Sequence, residues 1–265
     1  MRPLHDWQVG PLLGVFTDID DTLTTEGAIT DDALQALNEL QAAGLKVVAI
    51  TGRPVGWSEP FARAWPLDAI VAENGAVALL RDDQHPDGLR KLYQDPAELR
   101  AERFARLQAV LARIEREVPG ARRAQDSAGR ETDIAIDHSE FTTLPPQAID
   151  AVVALMQASG LRATVSSIHI NGWIGAHDKL AGARWIVQQL WGRDLDREVS
   201  QWVYVGDSTN DQVMFAHFAH SVGVANVRRF AAQLQHPPRY VTPSERGAGF
   251  AELVRHLLQA PTPQA

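Results

Sequence analysis

The stretch LLGVFTDIDDTL, residues 12–23, decides how this chain is read. Leu12 to Phe16 form a short apolar run, and DIDDT then crowds Asp18, Asp20 and Asp21 together. A continuous apolar run of this length predicts a strand of a parallel sheet covered on both faces. Open α/β sheets take their ligands beyond the carboxyl ends of such strands. Alternation along an extended chain sets Asp18 and Asp20 on one side. Two carboxylates so placed repel unless a cation or a proton neutralises them.

The flanking sequence extends the pattern. ITDDALQALNELQAAG (29–44) predicts a helix, with Thr30 as N-cap, Asp31 and Asp32 at the positive end and Gly44 as the stop. LKVVAITGR (45–53) reads as a second buried strand, residues 57–64 as a short helix and AIVAENGA (69–76) as a strand. RDDQHPDG (81–88) is polar and rich in turn formers, and a domain boundary is expected there. Beyond it, residues 96–118 place Leu107, Val110, Leu111, Ile114 and Val118 on one helical face. ETDIAIDH (131–138) alternates like a strand, residues 145–160 run as a helix from a proline pair to Gly160, and residues 161–175 hold one or two strands. The β/α alternation resumes with a helix at 179–192, WVYVGDS (202–208), a helix at 210–218, HSVGVAN (220–226) and a last helix at 250–258. PTPQA (261–265) reads as a frayed end. The expected fold is α/β: a doubly wound, Rossmann-like parallel-sheet core from residues 1–81 and 175–265, with an α+β domain inserted at 82–174.

A second acidic cluster, Asp207 and Asp211 in GDSTND (206–211), again stands where a buried strand gives way to a helix. Capping of turns and helices would explain either cluster alone. Two strand ends bearing two carboxylates each make a hard-oxygen site suited to Mg2+. The pairing also allows a division of labour. One carboxylate beside the cation stays ionised and attacks phosphorus, while another two residues on acts on the leaving group. Lys179, at a helix start, would steady the charge on Asp18 and on a phosphoryl group. Thr51, at a strand end, offers a hydroxyl and a backbone N–H.

DIDDT, ITGR with Thr51, then Lys179, then GDSTND resemble, in order, the four motifs of the haloacid dehalogenase superfamily of phosphohydrolases. ENGA (73–76), the large insertion and ERGAGFAEL (245–253) resemble its subfamily with a type IIB cap. That group includes Cof-like sugar phosphatases, sucrose-phosphate phosphatase, mannosyl-3-phosphoglycerate phosphatase and eukaryotic phosphomannomutase. The resemblance implies that Asp18 is the nucleophile, forming an aspartyl phosphate, and that Asp20 is general acid and then base. It implies Mg2+ held by Asp18, the Asp20 backbone carbonyl and Asp207, with Asp211 holding a metal-bound water or Lys179. Thr51, Lys179 and Asn210 would bind phosphoryl oxygens. Asp21 stands where many members have glycine, a variation that sucrose-phosphate phosphatases share.

The implied activity is Mg2+-dependent hydrolysis of a phosphomonoester, in particular a sugar phosphate. The alternatives are a phosphomutase of the phosphomannomutase type and a non-catalytic protein on the same fold. The cap would choose the substrate through His169, Asn171 and Trp173 of HINGW, where a Trp face suits a sugar ring or simply packs at the domain junction. Arg122, Arg123 and Arg130 would meet a second anionic group or lie in a solvated loop. The 265 residues suffice for a core without disulfides. The absence of cysteine excludes disulfides, Cys-ligated zinc, iron–sulfur clusters and a thiol nucleophile. With 25 Lys+Arg against 33 Asp+Glu, the net charge of -8 speaks against a nucleic-acid coat or a polybasic membrane binder. MRPLHDWQVG (1–10) lacks a signal-peptide pattern, and a cytoplasmic enzyme of a small phosphorylated metabolite is expected.

Overall fold

The computed structural model describes residues 1–259, so the stretch 261–265 lies outside the described residues. From the N-terminus the elements are β1 (Arg2–Pro3), β2 (Gly14–Thr17), the small hairpin β3 (Thr24–Thr25) and β4 (Ala28–Ile29), α1 (Asp31–Ala42), β5 (Lys46–Ile50), α2 (Val55–Ala64), β6 (Ala69–Ala72), β7 (Val77–Arg81) and β8 (Leu89–Tyr93). Next come α3 (Ala97–Glu117), β9 (Arg122–Arg123), β10 (Asp133–Asp137), α4 (Pro146–Ala158), β11 (Arg162–Val165) and β12 (His169–Trp173). The chain ends with α5 (Lys179–Trp191), α6 (Leu195–Glu198), β13 (Trp202–Gly206), α7 (Gln212–His217), β14 (His220–Gly223), β15 (Tyr240–Val241) and α8 (Arg246–Gln259).

Nine strands form one sheet in the order β1-β15-β14-β13-β2-β5-β6-β7-β8. Pairing is parallel from β1 to β6 and antiparallel for β7 and β8. Side-chain alternation divides its residues between two cores. Val15, Val47 and Ala49 face the layer holding Leu37, Phe250 and Val254, whereas Phe16, Val48 and Ile50 face that of Ile186 and Val187. A second, antiparallel sheet, β11-β12-β10-β9, is covered by α3 and α4. Leu107, Leu111, Ile114 and Val118 pack there on Ile134, Ile136 and Ile170, as their spacing requires.

Three details differ from the sequence reading. The polar turn at 82–88 does not leave the large sheet: it is the loop of a hairpin whose second strand, β8, pairs with β7 along its whole length. The chain therefore departs for the second sheet after Tyr93. The reason is physical: β7 is apolar enough to continue the core, and β8 covers its open edge. Thr30 does occupy the N-cap position of α1, with extended φ/ψ, but its hydroxyl makes no capping bond. The segment 69–76 is strand only to Ala72, after which Glu73, Asn74 and Gly75 turn with φ of 49°, 56° and 110° to launch β7. Gly44, at φ 76°, ends α1 as expected.

The inserted segment meets the large sheet along a close seam. A Cβ on Gly56 would lie 2.9 Å from the Cα of Gly129, so only glycine fits that crossing. Beside it, the buried Glu73 carboxylate accepts the backbone N–H groups of Val55, Glu131 and Thr132 and the Thr132 hydroxyl. Among the described residues no helix is long and apolar enough to cross a membrane.

Candidate active site

β2 and β13 are parallel neighbours in register, Thr17 opposite Val205, so their carboxyl ends deliver Asp18 and Asp207 side by side. The Asp18 N–H donates to the Val205 carbonyl at 2.9 Å. Lys179 is the first residue of α5, whose N-cap Asp178 accepts the Ala181 N–H. Its ammonium is buried and donates to Asp18 Oδ1 at 2.5 Å and to Asp211 Oδ1 at 2.7 Å. Asp211 also accepts the Tyr204 hydroxyl on Oδ1, and on Oδ2 the N–H groups of Asp207 at 2.9 Å and Ser208 at 3.1 Å. With four donors already bound, Asp211 is a brace for Lys179.

Asp207 differs. Its Oδ2 accepts Asn226 Nδ2 at 3.1 Å. Its Oδ1 is buried and, among the described residues, accepts no hydrogen bond. Asp18, Asp207 and Asp211 offer carboxylate oxygens within 4.8 Å of one another, an acidic cluster able to hold a metal ion. Burial pushes Asp18 up to about 8 against the pull of Lys179, and the charges of Asp211 and Asp20 add to the rise. Burial, then the charges of Asp211 and Asp18, push Asp207 well above the carboxylate range. Burial disfavours the Lys179 ammonium too, but Asp18 and Asp211 more than compensate and raise its pKa. The cluster is thus short of positive charge, and the unpartnered Asp207 oxygen is the place where a cation fits.

Asp20 belongs to another network. Arg53 clasps its carboxylate with Nε at 3.1 and 3.0 Å and Nη2 at 2.9 Å. The same guanidinium reaches Asp126 at 3.2 Å and Glu140 at 2.7 Å, both on the inserted segment, and lies 4.8 Å over the Trp57 ring. His169 Nε2 stands 2.8 Å from Glu140 Oε2. Burial raises Glu140, but the bonds from His169 and Arg53 outweigh it and hold the carboxyl at about 2.

Asp18, Asp20, Thr51, Asn210, His169 and Asn171 line one narrow cleft between the large sheet and the inserted segment. The Thr51 hydroxyl accepts the Arg53 N–H at 3.0 Å. Asn210 Oδ1 accepts the Ser208 hydroxyl at 2.8 Å. Trp173 lies to one side of that cleft: its ring is buried, its indole N–H donates to the His177 carbonyl at 2.9 Å, and it lines a second cavity with Lys179 and Asn210. Arg122 and Arg123 are exposed, and Arg123 is paired with Glu115. Arg130 is not a solvated loop residue. It is buried in the seam, 2.7 Å from Asp133 and 3.1 Å from Asp126. In the sequence Arg53 stands only as part of the ITGR motif, with no role of its own, and Glu140 and Asp126 carry no signal. Arg53 carried a signal, a charge two residues after Thr51, whereas nothing in the order of residues ties Glu140 to Asp20.

The strand ends of this doubly wound sheet thus gather Asp18, Asp207 and Asp211 into an acidic cluster able to hold a cation, with the buried Lys179 ammonium beside it. Residues 15–100 match the family of haloacid dehalogenase-like hydrolases. Over 243 residues the chain is 26% identical to the phosphoglycolate phosphatase of Methanosarcina mazei, covering 91% of this chain and 94% of that one. Its fold is similar to that of a Thermoplasma acidophilum protein, at TM-score 0.71 and 16% identity over 94% of this chain and 99% of the other. It is also similar to a haloacid dehalogenase subclass IIB sugar phosphatase, at TM-score 0.61 and 16% identity over 92% and 98%. The match to haloacid dehalogenase-like hydrolases thus lies in residues 15–100, and the whole chain shares its fold with solved structures that include a subclass IIB sugar phosphatase.

Proposed function

We propose that this protein is a Mg2+-dependent phosphomonoesterase acting through an aspartyl phosphate on Asp18, with a sugar phosphate or related polyhydroxy phosphate as substrate. The carrying observation is the Asp18–Lys179–Asp211 cluster with the partnerless Asp207 oxygen beside it. Asp18 and Asp207, with the Asp20 carbonyl, would hold Mg2+. Its charge would let an anionic nucleophile approach a phosphate dianion. Asp18 attacks phosphorus, and Thr51, Lys179 and Asn210 bind the equatorial oxygens. Asp20 gives its proton to the departing alkoxide, then takes one from the water that cleaves the acyl phosphate. Free phosphate leaves and Asp18 is regenerated.

The chain between β8 and α5 is read as the cap. Asp20 and Arg53 line both the narrow cleft and a wider cavity outside it, so the leaving group is assigned to that cavity. Its wall carries Asp20, Asp21, Glu26 and Glu140, with Trp57 and the 64%-exposed Phe141 beside them. Carboxylates accept hydrogen bonds from hydroxyls, and aromatic faces suit sugar rings. A glycolate carboxylate would instead face those four acids, with an Arg53 guanidinium already shared among three carboxylates. His169, on the cleft roof beside Glu140, is the cap contact assigned to the leaving group.

The test is phosphate release from glucose 6-phosphate, mannose 6-phosphate, 2-phosphoglycolate and p-nitrophenyl phosphate, with Mg2+ and with excess chelator. Sugar phosphates should be preferred, chelation should stop turnover, and no bisphosphate activator should be required. Full activity in chelator would remove the metal. Preference for 2-phosphoglycolate would overturn the substrate class. Dependence on a bisphosphate would favour the mutase.

A further inference from the structure

Gly52 lies between the Thr51 hydroxyl and the Arg53 guanidinium, and the cap holds its carbonyl. Arg130 Nη1 donates to that oxygen at 3.1 Å and Asn171 Nδ2 at 3.2 Å. Both donors are shared with Asp133, whose carboxylate accepts Arg130 at 2.7 Å and Asn171 at 3.3 Å. From the large-sheet side, Asn74 Nδ2 reaches the same Asp133 carboxylate at 3.4 Å. Arg130, Asp133, Asn171 and Asn74 are all buried. A buried polar group deprived of its partner bears the full desolvation penalty, so such a set holds one arrangement firmly.

The other end of the same peptide faces the phosphate side. The Gly52–Arg53 peptide is planar, so fixing its carbonyl fixes its N–H. That N–H donates to Thr51 Oγ1 at 3.0 Å. A hydroxyl has one proton and two lone pairs. With one lone pair engaged by Arg53, the Thr51 hydroxyl keeps its proton for a ligand in the cleft that Thr51 and Asp18 both line. The path thus runs from cap side chains to one peptide plane, then to one hydroxyl.

We propose that Arg130 and Asn171 are positioning residues for the phosphoryl group, acting through the Gly52–Arg53 peptide on the Thr51 hydroxyl. The proposal rests on the reading of Thr51 as a phosphoryl-oxygen donor. It gives the cap a share in phosphate binding itself, in addition to any choice of leaving group, and it moves Asn171 from selector to brace. Its consequence is specific: loss of the Asn171 amide should weaken every phosphomonoester, and inorganic phosphate, by the same factor.

The test is a double-mutant cycle with Asn171→Ala and Thr51→Val, read by calorimetric titration of inorganic phosphate into the Mg2+-loaded protein. Loss of one hydrogen bond to an ionised ligand predicts that Asn171→Ala weakens phosphate binding about tenfold. kcat/KM should fall by the same factor on p-nitrophenyl phosphate and glucose 6-phosphate. In the Thr51→Val background, Asn171→Ala should change phosphate affinity by less than about twofold, because coupled residues are not additive. Arg130→Lys keeps the charge beside Asp133 and should lose less than Arg130→Met, with melting curves reporting whether each is folded. Unchanged phosphate affinity in Asn171→Ala, or its full effect persisting in Thr51→Val, overturns the proposal. A loss confined to the sugar ester would also overturn it and return Asn171 to leaving-group recognition. If no ester is hydrolysed, the phosphatase reading fails, while the phosphate titrations still decide this one.

Discussion

Two charge networks meet at the cleft, and they are built differently. Asp18, Lys179, Asp211 and Asp207 all hang from the ends of one sheet and the helices that follow it, and all are buried. Asp20, Arg53, Glu140, Asp126 and His169 straddle the seam, with three of the five supplied by the cap. In the first, strand adjacency sets Asp18 beside Asp207, and the helix starts that follow bring Lys179 and Asp211 to them. In the second, a single guanidinium joins one carboxylate of the sheet to two of the cap. Reaction and cap docking are therefore separable in the sequence and joined at Arg53.

The harshest test of that separation is Asp18→Asn. Turnover should fall about 10^4-fold or more, as when a nucleophile is removed. The melting temperature should hold or rise. Burial and like charges already disfavour the Asp18 carboxylate, so a neutral amide relieves more than it forfeits. Phosphate release and thermal melts check both halves. Beryllium fluoride should build on Asp18 in the wild type and fail to do so in the variant. Substantial turnover by a folded Asp18→Asn protein would place the nucleophile elsewhere.

Arg53→Gln cuts the second network and spares the first. Without its clasp, Asp20 loses both guanidinium donors, and kcat should drop about 10- to 100-fold, one decade for each 1.4 kcal/mol or so. The Mg2+-induced rise in melting temperature should be unchanged, because Arg53 binds the Asp20 side chain and neither the Asp20 carbonyl nor the carboxylates of Asp18 and Asp207. An equal loss of metal stabilisation would mean that the two networks are one.

The same contrast explains what the sequence could and could not show. The strand ends were legible because an apolar run followed by acids carries its own geometry. The β/α order by itself places Asp18 and Asp207 together. The cap's apolar faces were legible for the same reason, with Leu107, Leu111 and Ile114 at helical spacing. The turn at 82–88 misled because a polar hairpin loop and a linker have one composition, and only the pairing of β8 tells them apart. Arg130 looked like a solvated charge, and its burial depends on Asp126 and Asp133, which meet it only when the cap folds. Glu140 sits 87 residues from Arg53, a separation at which no periodicity speaks.

Glu140→Gln should give the smallest effect and the finest test of the comparison. The carboxyl is held at about 2 against an ordinary value of 4.5, since His169 and Arg53 bind its ionised form more strongly than burial opposes it. A depressed native pKa means stability that is fully present above the unfolded value and is lost as the pH falls through the native one. At pH 7 the variant should therefore melt a few degrees below the wild type, about 2–6 °C for a loss of roughly 1–2 kcal/mol. As the pH falls from about 5 toward 2, the unfolded chain takes up the Glu140 proton first and the folded wild type last, so that advantage is lost and the two melting curves should converge. Asp18→Asn should show the opposite sign: with the native carboxyl raised to about 8, the wild type gains stability as the pH falls, so the variant's advantage shrinks from above. A gap between wild type and Glu140→Gln that stayed constant over this range would show that Glu140 braces the seam by shape alone, with its charge playing no part in joining cap to sheet.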